Sequence, residues 1–282
     1  MSIQWFPGHM AKARREVLSS LKLVDVVIEI LDARLPDSSR NPMMREVLKE
    51  KPTVVALGKV DLADEQVTAQ YVKAWSGSES VRVVTVDNVR GVGLPQVIQS
   101  AKALAQIKLE RLRKKGIRRE VVRAMVVGIP NVGKSSFINR MAGKSVAKTG
   151  DKPGVTKQQQ WIKVGGAFEL LDTPGILWPK FDDHDTALHL AWSGAIKSTI
   201  LQNEDLALEL VLWLQRHYPE RLIDRYGIHE DFSTSSEALE KIALRRGALK
   251  PGGIPDITQA ADFLLRDVQT GLLGRLTFDR PS

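Results

Sequence analysis

Val121-Val122-Arg123-Ala124-Met125-Val126-Val127-Gly128-Ile129-Pro130-Asn131-Val132-Gly133-Lys134-Ser135-Ser136 is the stretch on which the reading of this chain turns. A β-branched apolar run enters a loop of the form G-x-x-x-x-G-K-[ST], and a helical pattern follows it. Glycines let such a loop curl so that its N–H groups point at phosphate oxygens, and the helix N-terminus adds partial positive charge. In that frame Lys134 reaches the β/γ-phosphates, the Ser135 hydroxyl is a Mg²⁺ ligand, and Asn131, Val132, Gly133 and Ser136 complete the nucleotide contacts. A bare glycine turn needs no such strand–loop–helix setting.

Outward from this loop the pattern repeats. Val24–Leu31, Thr53–Leu57 and Val81–Val86 are short apolar runs, each followed by a helical pattern, which predicts a mostly parallel α/β sheet covered on both faces. Trp161–Val164 and Phe168–Leu171, joined through Gly165-Gly166, predict an edge hairpin. Beyond Leu177 the strand signal disappears. Helical patterns follow at Asp185–Ser198, Glu204–His217, Ser235–Arg246 and Ile257–Leu272, broken at Tyr218-Pro219, Gly227 and Pro251-Gly252-Gly253. The expectation is an α/β P-loop domain over 1–176 and an all-α domain over 177–282.

The 282 residues carry 41 Lys and Arg against 33 Asp and Glu, a net charge of +8. This favours a polyanionic partner, with incidental basicity of a soluble enzyme as the alternative. Eight of the cations fall between Lys108 and Arg123: Lys108, Arg111, Arg113, Lys114, Lys115, Arg118, Arg119 and Arg123. A helix dipole accounts for two or three of them and a phosphate backbone for the rest. The absence of cysteine excludes disulfide scaffolds, zinc ribbons and thiol catalysis. No stretch approaches the roughly 18 apolar residues of a membrane span, and no leader is evident, so a cytoplasmic protein is expected.

Two further loops belong to a nucleotide site. Leu170-Leu171-Asp172-Thr173-Pro174-Gly175 ends an apolar run in an acid able to hold Mg²⁺, directly or through water, followed by a glycine whose N–H can sense the γ-phosphate. Between it and the phosphate loop, Asp151-Lys152-Pro153-Gly154-Val155-Thr156 offers Thr156 as a second hydroxyl for Mg²⁺. Guanine is read by N-K-x-D, whose acid accepts from N1–H and the exocyclic amine. The nearest match precedes the phosphate loop, at Gly58-Lys59-Val60-Asp61, with Asp87-Asn88 in the place of a weaker base-contacting loop. The order along the chain is therefore base, base, phosphate loop, switch, switch (G4-G5-G1-G2-G3).

This order, with Trp5-Phe6-Pro7-Gly8-His9-Met10-Ala11-Lys12-Ala13 ahead of it, resembles the circularly permuted GTPases of the YlqF/YawG family. Asp32-Ala33-Arg34, Ser39-Arg40-Asn41-Pro42, Asp172-Thr173-Pro174-Gly175-Ile176-Leu177-Trp178-Pro179 and Gly274-Arg275-Leu276 carry the resemblance along the chain. It implies a GTP- and GDP-binding, GTP-hydrolysing factor for late maturation of the large (50S) ribosomal subunit, with a helical domain contacting rRNA and ribosomal proteins. A monomer off the ribosome is expected. Two rivals are a nucleotide-sensing RNA-binding module with negligible turnover and a metabolic P-loop enzyme, the latter disfavoured by motif order and the basic stretch.

Several residues depart from the pattern. Gly58 stands where the family has Asn, so a base contact and a tie to the phosphate loop are expected to be lost. Ile176 cannot orient water as the glutamine of Ras-like enzymes does. His9 is one candidate water-activating group, RNA contact or a structural role being the other readings. Asn131 resembles the residue that helps similar GTPases hold K⁺ beside the phosphates. The nucleotide state is expected to reposition the helical domain through Ile176–Lys180. Asp182-Asp183-His184-Asp185 with His189 reads as helix capping rather than a metal site, and the tryptophans read as packing.

Overall fold

The computed structural model describes residues 15–49, 51–145, 160–173, 183–196, 203–229, 232 and 234–281. Two compact units divide the chain: Met1–Asp183 with Thr277–Ser282, and His184–Leu276. The sequence-based division at 176/177 falls outside the described residues. It also left the last six residues with the helical part, whereas they rejoin the first unit.

The first unit begins with helical turns over 15–21 (α1). There follow β1 Val26–Asp32, α2 Pro42–Leu48, β2 Thr53–Gly58, α3 Glu65–Trp75, β3 Val81–Thr85, α4 Leu94–Lys114, β4 Val122–Val127, α5 Lys134–Ala142, β5 Gln160–Lys163 and β6 Phe168–Asp172. The sheet order is β3-β2-β1-β4-β6-β5, parallel except for β5. Every residue of β1 and β2 is buried, as expected of strands covered on both faces. On one side Val17 and Leu21 of α1 and Met44 and Leu48 of α2 pack with Val27, Met125, Val127 and Leu171. Val67 and Tyr71 of α3 cluster with Leu31, Val55 and Leu57.

Strands β1, β2 and β3 step outward to one edge, and α4 then returns the chain to β4 on the other side of β1. The reversal creates a switch point between β1 and β4, the place where open α/β sheets bind ligands at the carboxyl ends of their strands. Helix α4 packs across β1 to β4, and its 21 residues span about 31 Å. That exceeds the roughly 20 Å of a six- or seven-residue strand, so its last turns pass the amino-terminal edge of the sheet.

The second unit holds α6 His184–Trp192, α7 Asn203–His217, α8 Pro219–Tyr226, α9 Ser235–Arg246 and α10 Ile257–Gln269. Leu206, Leu210, Leu214, Leu239, Ile242 and Leu264 are buried where α7, α9 and α10 pack together. Tyr218-Pro219 is not only a break. Pro219 opens α8, where its missing N–H costs nothing and its fixed φ suits the first helical turn. The buried Asp267 carboxylate ties α8 to α10, accepting from Arg225 Nε at 2.7 Å and Tyr226 Oη at 3.0 Å. The unit is not purely α: Leu249–Lys250 (β7) and Ile254–Pro255 (β8) form an antiparallel ribbon, two-residue strands too short to leave a period. Trp192 is buried and donates through Nε1 to the Leu206 carbonyl at 2.9 Å, with Trp213 6.0 Å away. Among the described residues no helix is long and apolar enough to cross a membrane.

Candidate functional site: a phosphate loop beside a candidate base loop

The phosphate loop leaves the carboxyl end of β4 at the switch point. Gly128 has φ +155°, and a Cβ there would stand 2.6 Å from the Ile30 carbonyl oxygen of β1, so the loop can begin its curl only with glycine. Asn131 is held in the left-handed region at φ +58°, and Gly133, at φ +104°, opens α5 with no side-chain cap. Among the described residues the first N–H groups of α5 therefore meet no capping side chain, the arrangement that receives an anion. Ser135 is half-buried there and Ser136 exposed.

Lys134 lies beneath this loop, 8% exposed, donating from Nζ to the Ile129 carbonyl at 2.8 Å. Burial pushes its ammonium down to about 8, with the Asp172 carboxylate opposing the shift. Asp172 ends β6, in register with Val126 of β4. It is 1% exposed, and neither carboxylate oxygen has a hydrogen-bond partner among the described residues. Burial pushes its carboxyl up and Lys134 pulls it back. A buried carboxylate without a donor is costly unless something cationic completes it. Its two hard oxygen donors, next to the Lys134 ammonium, are of the type that suits a small divalent cation coordinated to phosphates.

The base loop leaves β2 one strand beyond β1. Gly58 pairs in register with Asp32, and Lys59 turns the chain at φ +56°, a conformation uncommon for a residue with a Cβ. The Lys59 ammonium meets the Asp32 carboxylate at 2.9 Å and donates to the Asn131 carbonyl of the phosphate loop at 3.1 Å. The tie between the two loops, expected to be lost with Gly58, is thus supplied by Lys59. Burial alone would raise the Asp32 carboxyl. Arg34, at 2.8 and 3.0 Å, and Lys59 overcome it and hold the group well below the usual carboxylate range. Val60 and Asp61 are half-buried beyond this anchor, and the Asp61 carboxylate makes no hydrogen bond among the described residues.

In the neighbouring loop, the Asp87 carboxylate closes a turn by accepting from the Val89 and Arg90 N–H groups at 2.8 and 2.9 Å. Asn88 is the member of the pair that faces the phosphate loop: its Nδ2 lies 3.4 Å from the Cβ position of Gly133, and its buried Oδ1 has no partner among the described residues. His9, Thr156 and Gly175 lie outside the described residues, as do Ile176 and the Ile176–Lys180 segment.

Sequence reasoning missed Asp32 as an anchor, since its role depends on β1 and β2 being neighbours. Ser39-Arg40-Asn41-Pro42 is likewise structural. Ser39 Oγ accepts from the Asp32 N–H, Arg40 pairs with the buried Glu29 at 2.8 Å, Asn41 caps α2, and Pro42 opens it. The basic stretch divides. Lys108 and Arg119 converge on the buried Asp25 carboxylate, which also accepts from the Arg123 N–H at 2.9 Å, while Arg123 pairs with Glu169 and covers Trp161. Arg111, Arg113, Lys114, Lys115 and Arg118 are exposed with no carboxylate partner among the described residues. Asp25 precedes β1, so these five sit near the sheet edge opposite the phosphate loop.

A phosphate loop on the central strand, with the strands that carry the candidate base loops coming earlier in the chain yet lying beyond it in the sheet, is the arrangement of a circularly permuted P-loop GTPase. Comparison with known proteins narrows the class. The family described as 50S ribosome-binding GTPase matches residues 123–244. Ribosome biogenesis GTPase A of Priestia megaterium is 50% identical over 283 residues, covering 100% of this chain and 98% of the relative. That of Thermotoga maritima is 33% identical over 279 residues, covering 99% and 95%. The crystal structure of GNP-bound YlqF from T. maritima superposes with a TM-score of 0.63 at 29% identity, covering 96% of this chain and 99% of that one, and a GDP-bound YlqF structure gives the same score. This chain belongs to the ribosome biogenesis GTPase A family and is a guanine-nucleotide-binding GTPase of large-subunit assembly.

Proposed function

We propose that the chain is a Mg²⁺-dependent, K⁺-assisted GTPase that docks through rRNA on the large ribosomal subunit late in its maturation, acting in the cytoplasm and monomeric when free. The observation that carries the docking is the set of five exposed cations at Arg111–Arg118. The phosphate site is built from other residues near the opposite edge of the sheet, so those charges call for a second polyanion.

In the nucleotide complex the amides from Asn131 to Ser136 cradle the phosphates and Lys134 exchanges the Ile129 carbonyl for β/γ oxygens. Ser135 and Thr156 would hold Mg²⁺ with Asp172, directly or through water, and Asn131 would be the ligand offered to K⁺. When bound, these cations would supply charge against the negative charge developing on the transferred phosphoryl group. Asp61 accepts from the guanine N1–H and amine, while Lys59 and Val60 flank the base and Asn88 offers its amide from the neighbouring loop. The Gly175 N–H senses the γ-phosphate and His9 activates water. Residues 1–176 bind and hydrolyse the nucleotide, and the helical part after 177 contacts RNA.

Turnover of GTP and ATP, in K⁺ and in Na⁺, with and without purified large subunits, tests this reading. GTP-specific hydrolysis that rises with subunits and is faster in K⁺ is expected. Equal rates in the two salts would refute the cation role, and indifference to subunits the docking.

A further inference from the structure

Thr277, Phe278 and Asp279 belong to the first unit and are 0%, 3% and 7% exposed. The Asp279 carboxylate accepts from the Ser38 N–H at 2.7 Å and the Ser38 hydroxyl at 2.6 Å, and the Phe278 N–H donates to the Arg34 carbonyl at 2.6 Å. Thr277 Oγ1 accepts from the Asp64 N–H at 3.1 Å and lies 3.5 Å from the Ala33 carbonyl.

These partners surround the base loop. Ala33 donates its own N–H to the Gly58 carbonyl at 2.8 Å, and Arg34 clamps the Asp32 carboxylate that holds Lys59. Asp64 is the N-cap of α3, accepting from Gln66 and Val67 N–H groups at 2.8 and 3.1 Å, so its own N–H lies just outside the helix and needs a partner from elsewhere. The loop is therefore pinned at Lys59 by Asp32 and at Asp64 by Thr277, and Asp61 stands between the pins.

We infer that the C-terminal segment Thr277–Asp279 is a positioning element for guanine recognition, holding the Lys59–Asp64 loop so that the Asp61 carboxylate is aimed before the base arrives. Neither Thr277 nor Asp279 touches the nucleotide; they act through Asp64, Arg34 and Ser38. The inference rests on Asp61 reading guanine. A preset carboxylate contributes most against a base that offers two donors, so loss of the pin weakens GDP more than IDP, which lacks the exocyclic amine.

Dissociation constants for GDP and IDP test this in the full chain, alongside thermal unfolding of each variant. Thr277→Val keeps the shape and removes the hydroxyl. It is expected to weaken GDP binding about 3- to 10-fold and to shrink the GDP-to-IDP preference, the effect of one misplaced hydrogen bond. Asp279→Ala acts in the same direction, and Thr277→Ser, which keeps the hydroxyl, stays within about twofold of wild type. A lowered unfolding temperature with GDP affinity and GDP-to-IDP preference unchanged would show a purely structural tail and overturn the inference. Asp61→Ala separates the two claims. If it moves the preference and the tail variants do not, the tail proposal alone falls; if it does not, the base-reading assignment falls and takes the proposal with it.

Discussion

Lys134 offers the sharpest test of the phosphate site, because its proton should be taken up when nucleotide binds. Burial in the fold lowers its pKa from 10.5 to about 8. At neutral pH the charged ammonium therefore costs the fold about 3 kcal/mol. The cost is complete below pH 8 and fades as the pH rises toward 10.5, where the unfolded chain also loses its proton. Phosphate oxygens in place of the Ile129 carbonyl restore the preference for the charged form. At pH 8.5 about three-quarters of the free protein lacks this proton, so binding GDP should take up about 0.8 proton, against about 0.1 at pH 7. The same linkage weakens GDP binding about tenfold between pH 7 and pH 9. Calorimetric titration in buffers of different ionisation enthalpy measures the uptake directly. Lys134→Arg, whose guanidinium does not titrate in this range, should abolish it, which separates the lysine from groups on the nucleotide. Uptake near 0.1 proton at both pH values would refute a buried, desolvated Lys134 that meets the phosphates.

Three other perturbations probe the remaining parts of the site. A Cβ at Gly58 would meet only ordinary neighbours, Leu31 O at 3.5 Å and Val132 O at 3.9 Å. Gly58→Asn should therefore be accommodated and tighten GDP binding about 3- to 10-fold in equilibrium titration, a modest gain because Lys59 already ties the loops; unchanged affinity would contradict the loop assignment. Asp172→Asn keeps the volume but removes the charge, and the ratio of GTP affinities with Mg²⁺ and with a chelator should fall toward one. The triple variant Arg113→Glu, Lys114→Glu, Lys115→Glu should weaken large-subunit binding and flatten its logarithmic salt dependence by about 2 to 3 in slope. Its GDP affinity, measured in parallel, should not move, since the cluster and the phosphate loop lie near opposite edges of the sheet.

The division between what was legible and what was not follows the range of the interactions. The strand–loop–helix at Gly128–Ser135, the buried acid ending β6 and the succession of loops were readable because each is a local string whose chemistry needs fixed neighbours. Ser235–Arg246 was readable as a helix for the same reason, through a period repeated along its own length. The Pro219 helix was not, because proline at a first turn and proline at a break look alike until the following residues find a core. Asp87 and Asn88 are adjacent in sequence and indistinguishable as base-facing candidates. Only the fold shows one closing a turn and the other facing Gly133.

The amino-acid sequence by itself determined the class of this protein: a parallel sheet from its continuous apolar runs, a phosphate loop from its glycines and lysine, and a permuted motif order from simple succession. Tertiary structure alone decided which charges are spent inside the fold and which are free for a partner. Asp25 gathers Lys108 and Arg119 from more than eighty residues away, and Asp279 reaches Ser38 across 241. Such pairings leave no trace in periodicity or spacing, since an ion pair or hydrogen bond needs only that two groups be brought within about 3 Å, and that is a property of the packed chain.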